Sequence, residues 1–167
     1  MFMAARVRNL TLLLSIPLIL TNMTWAQDAV GSVEKEAAFE IPENEKPFWE
    51  SAQKFVDAYS KRDAAAIGEL FTEEATFLDE LKVRTSGRTA IVTRFEEAFA
   101  ESAGVLIDSI HIEGVRHLGD SVAIEEGTVV SSASADSPRH HNRYVAIHRK
   151  GDDGIWRIDI LKDFPRE

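Results

Sequence analysis

The chain has 167 residues, a formal net charge of −9 and no cysteine. The length suits one domain. The lack of cysteine excludes disulfides, thiolate chemistry and Cys-ligated zinc or iron–sulfur centres, and an acidic chain is repelled at long range by nucleic acid and anionic lipid.

Residues 1–26 read as a secretory signal peptide rather than as fold. Arg6 and Arg8 form a positive start, Leu10 to Leu20 is apolar with Pro17 inside it, and Thr24-Trp25-Ala26 offers a small-residue cleavage site. The apolar run is shorter than the roughly 20 residues needed to cross a bilayer. Loss of Arg6 and Arg8 with this leader would take the net charge from −9 to −11. The expectation is an exported protein, periplasmic or secreted, without membrane association after cleavage. Residues 27–46, with six acidic and two basic side chains, read as a flexible linker. The domain proper is expected over 47–167.

Pro47 suits the first turn of a helix. Phe48, Trp49, Ala52, Phe55, Val56 and Tyr59 recur at three- and four-residue spacing, which predicts an amphipathic helix. Asp63 is a good cap for a second, shorter helix carrying Ala66, Ile67, Leu70 and Phe71 inward. Ala75 to Asp79 alternates as a strand, and Leu81 to Ser86 is a turn or a short strand pairing back on it. Thr89 can cap a third helix with Ile91, Phe95, Ala98 and Phe99 on its apolar side. Four strands follow, over Val105–Ile112, Ser121–Ser132, Arg143–Lys150 and Ile155–Lys162. Leu118-Gly119-Asp120 and Gly151-Asp152-Asp153-Gly154 are the clearest hairpin connections. Helices first and consecutive strands last give an α+β class with a mainly antiparallel sheet.

The run Phe55 to Asp63, then Ile67 to Phe77 with its Leu70-Phe71 pair and Ala75-Thr76-Phe77, resembles the opening of NTF2-like domains. Gly87-Arg88 leading into Ile91 and Phe95, and Gly154-Ile155-Trp156-Arg157-Ile158, fit later elements of the same family. The closest look is to its secreted SnoaL-like or DUF4440 group, the SgcJ/EcaC relatives, over about 120 residues. The resemblance implies a curved sheet wrapped around three helices as a cone, one apolar pocket for a small molecule, and frequent homodimerisation through the outer sheet face. It does not imply a reaction, because members include isomerases, dehydratases, cyclases and non-catalytic modules.

Asp79 is similar in register to the proton-shuttling Asp of ketosteroid isomerase, and is the candidate base for an isomerase, lyase or cyclase acting on an apolar carbonyl compound. That enzyme's oxyanion donors do not carry over: Phe55 stands where its Tyr would lie, and Arg143 or Tyr144 where its Asp would lie. Tyr59, one turn further along the helix, is the candidate donor. Phe77, Phe95, Phe99 and Trp156 read as core that is continuous with the pocket wall. Glu125 and Glu126 point to opposite faces of a strand, so one of them faces inward or toward a dimer partner; structural pairing with Arg143 or Arg157 is the default reading, and Glu126 is the candidate if a ligand anchor is meant. His148 is either pocket-lining or exposed. His140 and His141 are adjacent on a strand and badly placed to share an ion, so no metal is expected. No phosphate loop, nucleotide fingerprint or other cofactor motif is present, and none is expected. Three readings stay open: a binding domain for a small apolar molecule, an enzyme using Asp79, and a protein-interaction module using the outer sheet face.

Overall fold

The computed structural model describes residues 40–101 and 105–164. The signal-peptide reading and most of the linker reading fall outside these residues.

The first helix, α1, spans Lys46–Ser60 with Pro47 in its first turn and Phe48 and Ala58 buried. The second, α2, is Ala64–Gly68, and the Asp63 carboxylate accepts the Ala66 N–H at 2.9 Å, as its N-cap position predicts. It is only 5 residues long, and the chain is already extended by Phe71. Phe71 therefore opens strand β1 (Phe71–Leu78) rather than closing the helix, and is fully buried there. Strand β2 is Arg84–Ser86 and pairs antiparallel with β1.

Helix α3 spans Arg88–Glu101. Its start is set by Gly87, not by Thr89. Gly87 has φ +88°, its N–H donates to Ala75 O at 2.7 Å, and its own carbonyl accepts the Ile91 N–H. Only glycine takes that left-handed turn without strain, and it hands the chain from the sheet directly into the helix.

Strands β3 (Leu106–His117), β4 (Val122–Ser132), β5 (His140–Lys150) and β6 (Trp156–Asp163) follow as an antiparallel meander. The sheet order is β2-β1-β6-β5-β4-β3, with β1 and β6 parallel. The last strand thus returns to lie beside the first, which a helical crossover and the meander together permit. The result is a mixed, mostly antiparallel curved sheet with the helices on its inner side, in agreement with the α+β expectation. Register shifts within β3 at Ile107/Ser109 and Ile112/Gly114 bend the edge strand.

The core lies between helices and sheet. Ile67, Phe71, Ala75 and Ile91 are fully buried in it, with Phe95, Ala146 and Ile158 beside them. A second aromatic group forms where α1 meets β3 and β6: the Phe48 ring lies 5.3 Å from Trp156, 5.6 Å from His117 and 4.9 Å from His148. Among the described residues no helix is long and apolar enough to cross a membrane.

Candidate functional site

The sheet and helices do not close completely on each other. Between them lies a cavity of about 380 Å³, walled mainly by apolar side chains from α1, α3 and the inner sheet face. Phe55 and Tyr59 come from α1, Phe77 from β1, Phe95 from α3, and Ile110, Val129 and Leu161 from the sheet. The aromatic rings pack on one another: Phe77 and Phe95 are nearly parallel at 6.1 Å, and Phe55 and Tyr59 meet Phe95 edge-on. The open end lies by Leu81 and Val105, both exposed, and the deep end by Glu125 and His148.

Polar groups occur at these two ends. At the deep end, Glu125 and His148 are 4 % and 2 % exposed. Tyr144 donates its hydroxyl to Glu125 Oε1 at 2.6 Å, and His148 Nε2 lies 3.0 Å from Oε2. That second approach is close but out of line, so neither Oε2 nor either ring nitrogen of His148 has a hydrogen bond. Burial and the neighbouring Glu125 push the Tyr144 hydroxyl pKa far upward, which keeps it a donor. Gly127 makes this contact possible. A Cβ there would stand 2.7 Å from the Tyr144 hydroxyl and 2.4 Å from His111 O. Only glycine lets the ring lie across β4 to reach Glu125.

At the open end, Arg94 pairs with Asp79 Oδ2 and donates from its other amino group to Thr85 Oγ1 at 2.9 Å. Asp79 Oδ1 accepts the Val83 N–H at 2.8 Å. The guanidinium also lies over the Phe77 ring, 5.2 Å from its centroid. Asn142 Nδ2 reaches Glu80 at 3.4 Å, while its Oδ1 is buried without a hydrogen bond. Asp163, at the end of β6, completes the group. Burial, then the nearby Glu80 and Asp79, push its carboxyl up to about 7, against the pull of Arg94.

The residues expected from sequence divide accordingly. Phe55, Tyr59, Phe77, Asp79, Phe95 and His148 are on the cavity wall. Asp79 is there but is held by a guanidinium and a backbone N–H, so the free base imagined from its register is not available; the carboxyl poised near neutrality is Asp163. Burial raises the pKa of Tyr59. Four placements are corrected. Glu126 is exposed, because strand alternation turns Glu125 inward instead. Arg143 is likewise exposed, since Tyr144 takes the inward position on β5, and the inward carboxylate is partnered by Tyr144 and His148 rather than by Arg143 or Arg157. Trp156 packs behind Phe48 and His117, away from the cavity. Phe99 meets the Tyr59 ring edge-on and lies tilted against Phe95, outside the cavity wall. His140 and His141 are both exposed, and among the described residues no cluster of His, Cys, Asp or Glu could hold a metal ion.

Sequence reasoning missed Arg94, Asn142 and Asp163. It stopped short of Glu125, although the parity of Ala123, Glu125 and Gly127 on one strand face was the signal that could have found it.

Comparison with known proteins adds the family. The model of the SnoaL-like domain matches residues 52–158. Among solved structures, a domain of unknown function with a cystatin-like fold from Nostoc punctiforme is similar at TM-score 0.69 and 17% identity, covering 77% of this chain and 80% of that one. A ketosteroid isomerase-like protein from Erwinia carotovora atroseptica is similar at TM-score 0.60 and 14% identity, covering 74% and 97%. An NTF-2 like protein of unknown function from Shewanella oneidensis is similar at TM-score 0.62 and 13% identity, covering 72% and 98%. At such identities the likeness is one of fold. No curated protein matches the chain. From the family match over most of the folded region, and from the helices wrapped by a curved sheet, the chain belongs to the SnoaL-like domain family and has an NTF2-like fold.

Proposed function

We propose that the cavity binds a small molecule with a largely apolar body and one polar group, and that the polar group is received at the deep end by Glu125 and His148. The observation that carries this reading is the pair of buried, incompletely hydrogen-bonded side chains on the wall of a 380 Å³ apolar cavity. Left unsatisfied, such groups cost about 1–3 kcal/mol each. A fold that needed only stability would be better served by apolar residues there. Apolar walls with a few placed polar groups are the usual build of a ligand site.

The reading includes export through the leader at residues 1–26 and assembly as a homodimer. Support for the dimer comes from the outer sheet face, where Ile124, Ile147 and Ile160 are register partners across β4, β5 and β6. Ile160 is 40 % exposed. A continuous apolar row of this kind suits a second copy.

Native mass spectrometry of the purified protein tests both parts. The expected spectrum shows a dimer, with a small-molecule mass added per chain or taken up from a neutral probe such as 1-naphthalenemethanol. A monomer that takes up nothing would sink both parts.

A second reading, proton-transfer catalysis, is favoured by one observation, the Asp163 carboxyl raised to about 7 on the cavity wall. Under it Asp163, not Asp79, is the acid–base group. In D2O a ligand whose C–H is turned over by Asp163 would gain deuterium mass, and a bound ligand of unshifted mass would refute this reading.

A further inference from the structure

The cavity has a charge and hydrogen-bond bias that narrows its ligand, provided that it is a binding site as proposed above. Four carboxyl groups lie on its wall, those of Asp79, Glu80, Glu125 and Asp163, against one permanent cation, Arg94. Three of the donors nearest them are already engaged: Tyr144 with Glu125, Arg94 with Asp79 and Thr85, Asn142 Nδ2 with Glu80, while His148 Nε2 lies 3.0 Å from Glu125 Oε2 but out of line for a hydrogen bond. What remains buried and without a hydrogen bond includes two acceptor oxygens, Glu125 Oε2 and Asn142 Oδ1. Glu125 is 4 % exposed. An anionic ligand would meet like charge at both ends of the cavity and find no free cation. A ligand rich in N–H donors would satisfy the acceptors.

The walls agree with that bias. Phe55, Tyr59, Phe77 and Phe95 offer ring faces and edges, and one of these faces already holds a cation, since the Arg94 guanidinium lies over Phe77. Aromatic rings next to carboxylates form the usual environment for an ammonium group. The chain's net charge of −9 extends the same preference outward, drawing cations toward the protein.

We propose that the cavity is an amine site, selecting an ammonium group carried on an apolar or aromatic body, with the ammonium hydrogen-bonded to Glu125 Oε2 at the deep end and the body against the aromatic wall. An ammonium supplies three donors, enough to engage the carboxylate and to turn a further N–H toward a nitrogen of His148. Arg94 remains in its ion pair with Asp79 throughout.

The test is a matched series with one body and three head groups: 1-naphthylmethylamine, 1-naphthalenemethanol and 1-naphthaleneacetate, titrated calorimetrically into the purified protein at pH 7.5. The amine is expected to bind at least tenfold more tightly than the alcohol, with the carboxylate weakest. Equal or tighter binding of the alcohol or the carboxylate overturns the amine assignment and leaves the pocket reading standing. Binding by none of the three overturns the pocket reading and the assignment together. Glu125→Gln keeps an acceptor for Tyr144 and removes the charge. It is expected to reduce the amine-over-alcohol preference at least tenfold while alcohol binding persists. An unchanged preference in that variant places the ammonium elsewhere and also overturns the assignment.

Discussion

Replacing Glu125 by alanine is expected to destabilise the protein by about 2–4 kcal/mol, even though it removes a buried carboxyl group. Two effects oppose each other. Loss of the carboxyl relieves its desolvation. It also strands the Tyr144 hydroxyl, which donates to Oε1 at 2.6 Å, beside a His148 ring that has no hydrogen bond, and it leaves a void. Stranded buried donors and voids dominate when only one partner is removed. When the partner is removed as well the balance changes, so the double variant Glu125→Leu with Tyr144→Phe should recover most of the loss. Urea unfolding of the two variants checks this through the midpoint at constant slope. A double variant as unstable as the single one would mean that the cost lies in shape rather than in unsatisfied polar groups.

Asp163→Asn is expected to stabilise the protein progressively as pH rises from about 4 to about 7, and fully above neutrality. The carboxyl rises from 3.8 to about 7 on folding. Between those values the folded protein holds a proton that the unfolded chain has released. The contribution of this group to stability is therefore full below about pH 4 and is lost as pH rises through 7. The full shift corresponds to roughly 4 kcal/mol, and solvent at the cavity mouth reduces it to about 2. The groups facing Asp163 are Glu80, Asp79 and Arg94, with Tyr144 opposite it on β5. All of them remain in the variant, so the difference between variant and parent isolates position 163. That difference should be near zero at pH 4 and about 2 kcal/mol in favour of the variant at pH 8. A difference that stays constant across this range would refute the assignment.

These two positions also show what could be read from the sequence. The elements were legible because their signals are local. The spacing of Phe48, Phe55 and Tyr59 specifies a helix face, Asp63 caps α2 as its position demands, and the glycines at 119 and 154 close the hairpins at positive φ. The aromatic wall was legible too, since Phe55, Phe77 and Phe95 are the inward members of periodic elements. The polar site was not, because it depends on pairings made across the fold. Asp79 looked like a free carboxylate from its own strand, but its partner Arg94 comes from a helix fifteen residues away. Asp163 is unremarkable at a strand end until Glu80 and Asp79 are brought beside it. Glu125 and Glu126 differ only in parity, and the residue that decides it, Gly127, is informative once Tyr144 is known to cross over it. Register shifts near Ile107, Ile112 and His148 further defeat a simple count of alternation.

Under the proposed function this cavity holds the ligand. Ala146 lies on its wall in mid-sheet, 1 % exposed, between the registers of Glu125 and Leu161. A phenylalanine there projects into space the ligand would occupy. Native mass spectrometry of the parent and of Ala146→Phe, each with 1-naphthalenemethanol and 1-naphthylmethylamine, is the most direct measurement, with Ala98→Phe on the opposite wall as the companion variant. The parent is expected to take up at least one of the two probes, and a filled variant with a near-parental melting temperature to take up neither. A folded, cavity-filled variant that binds as the parent does would contradict it.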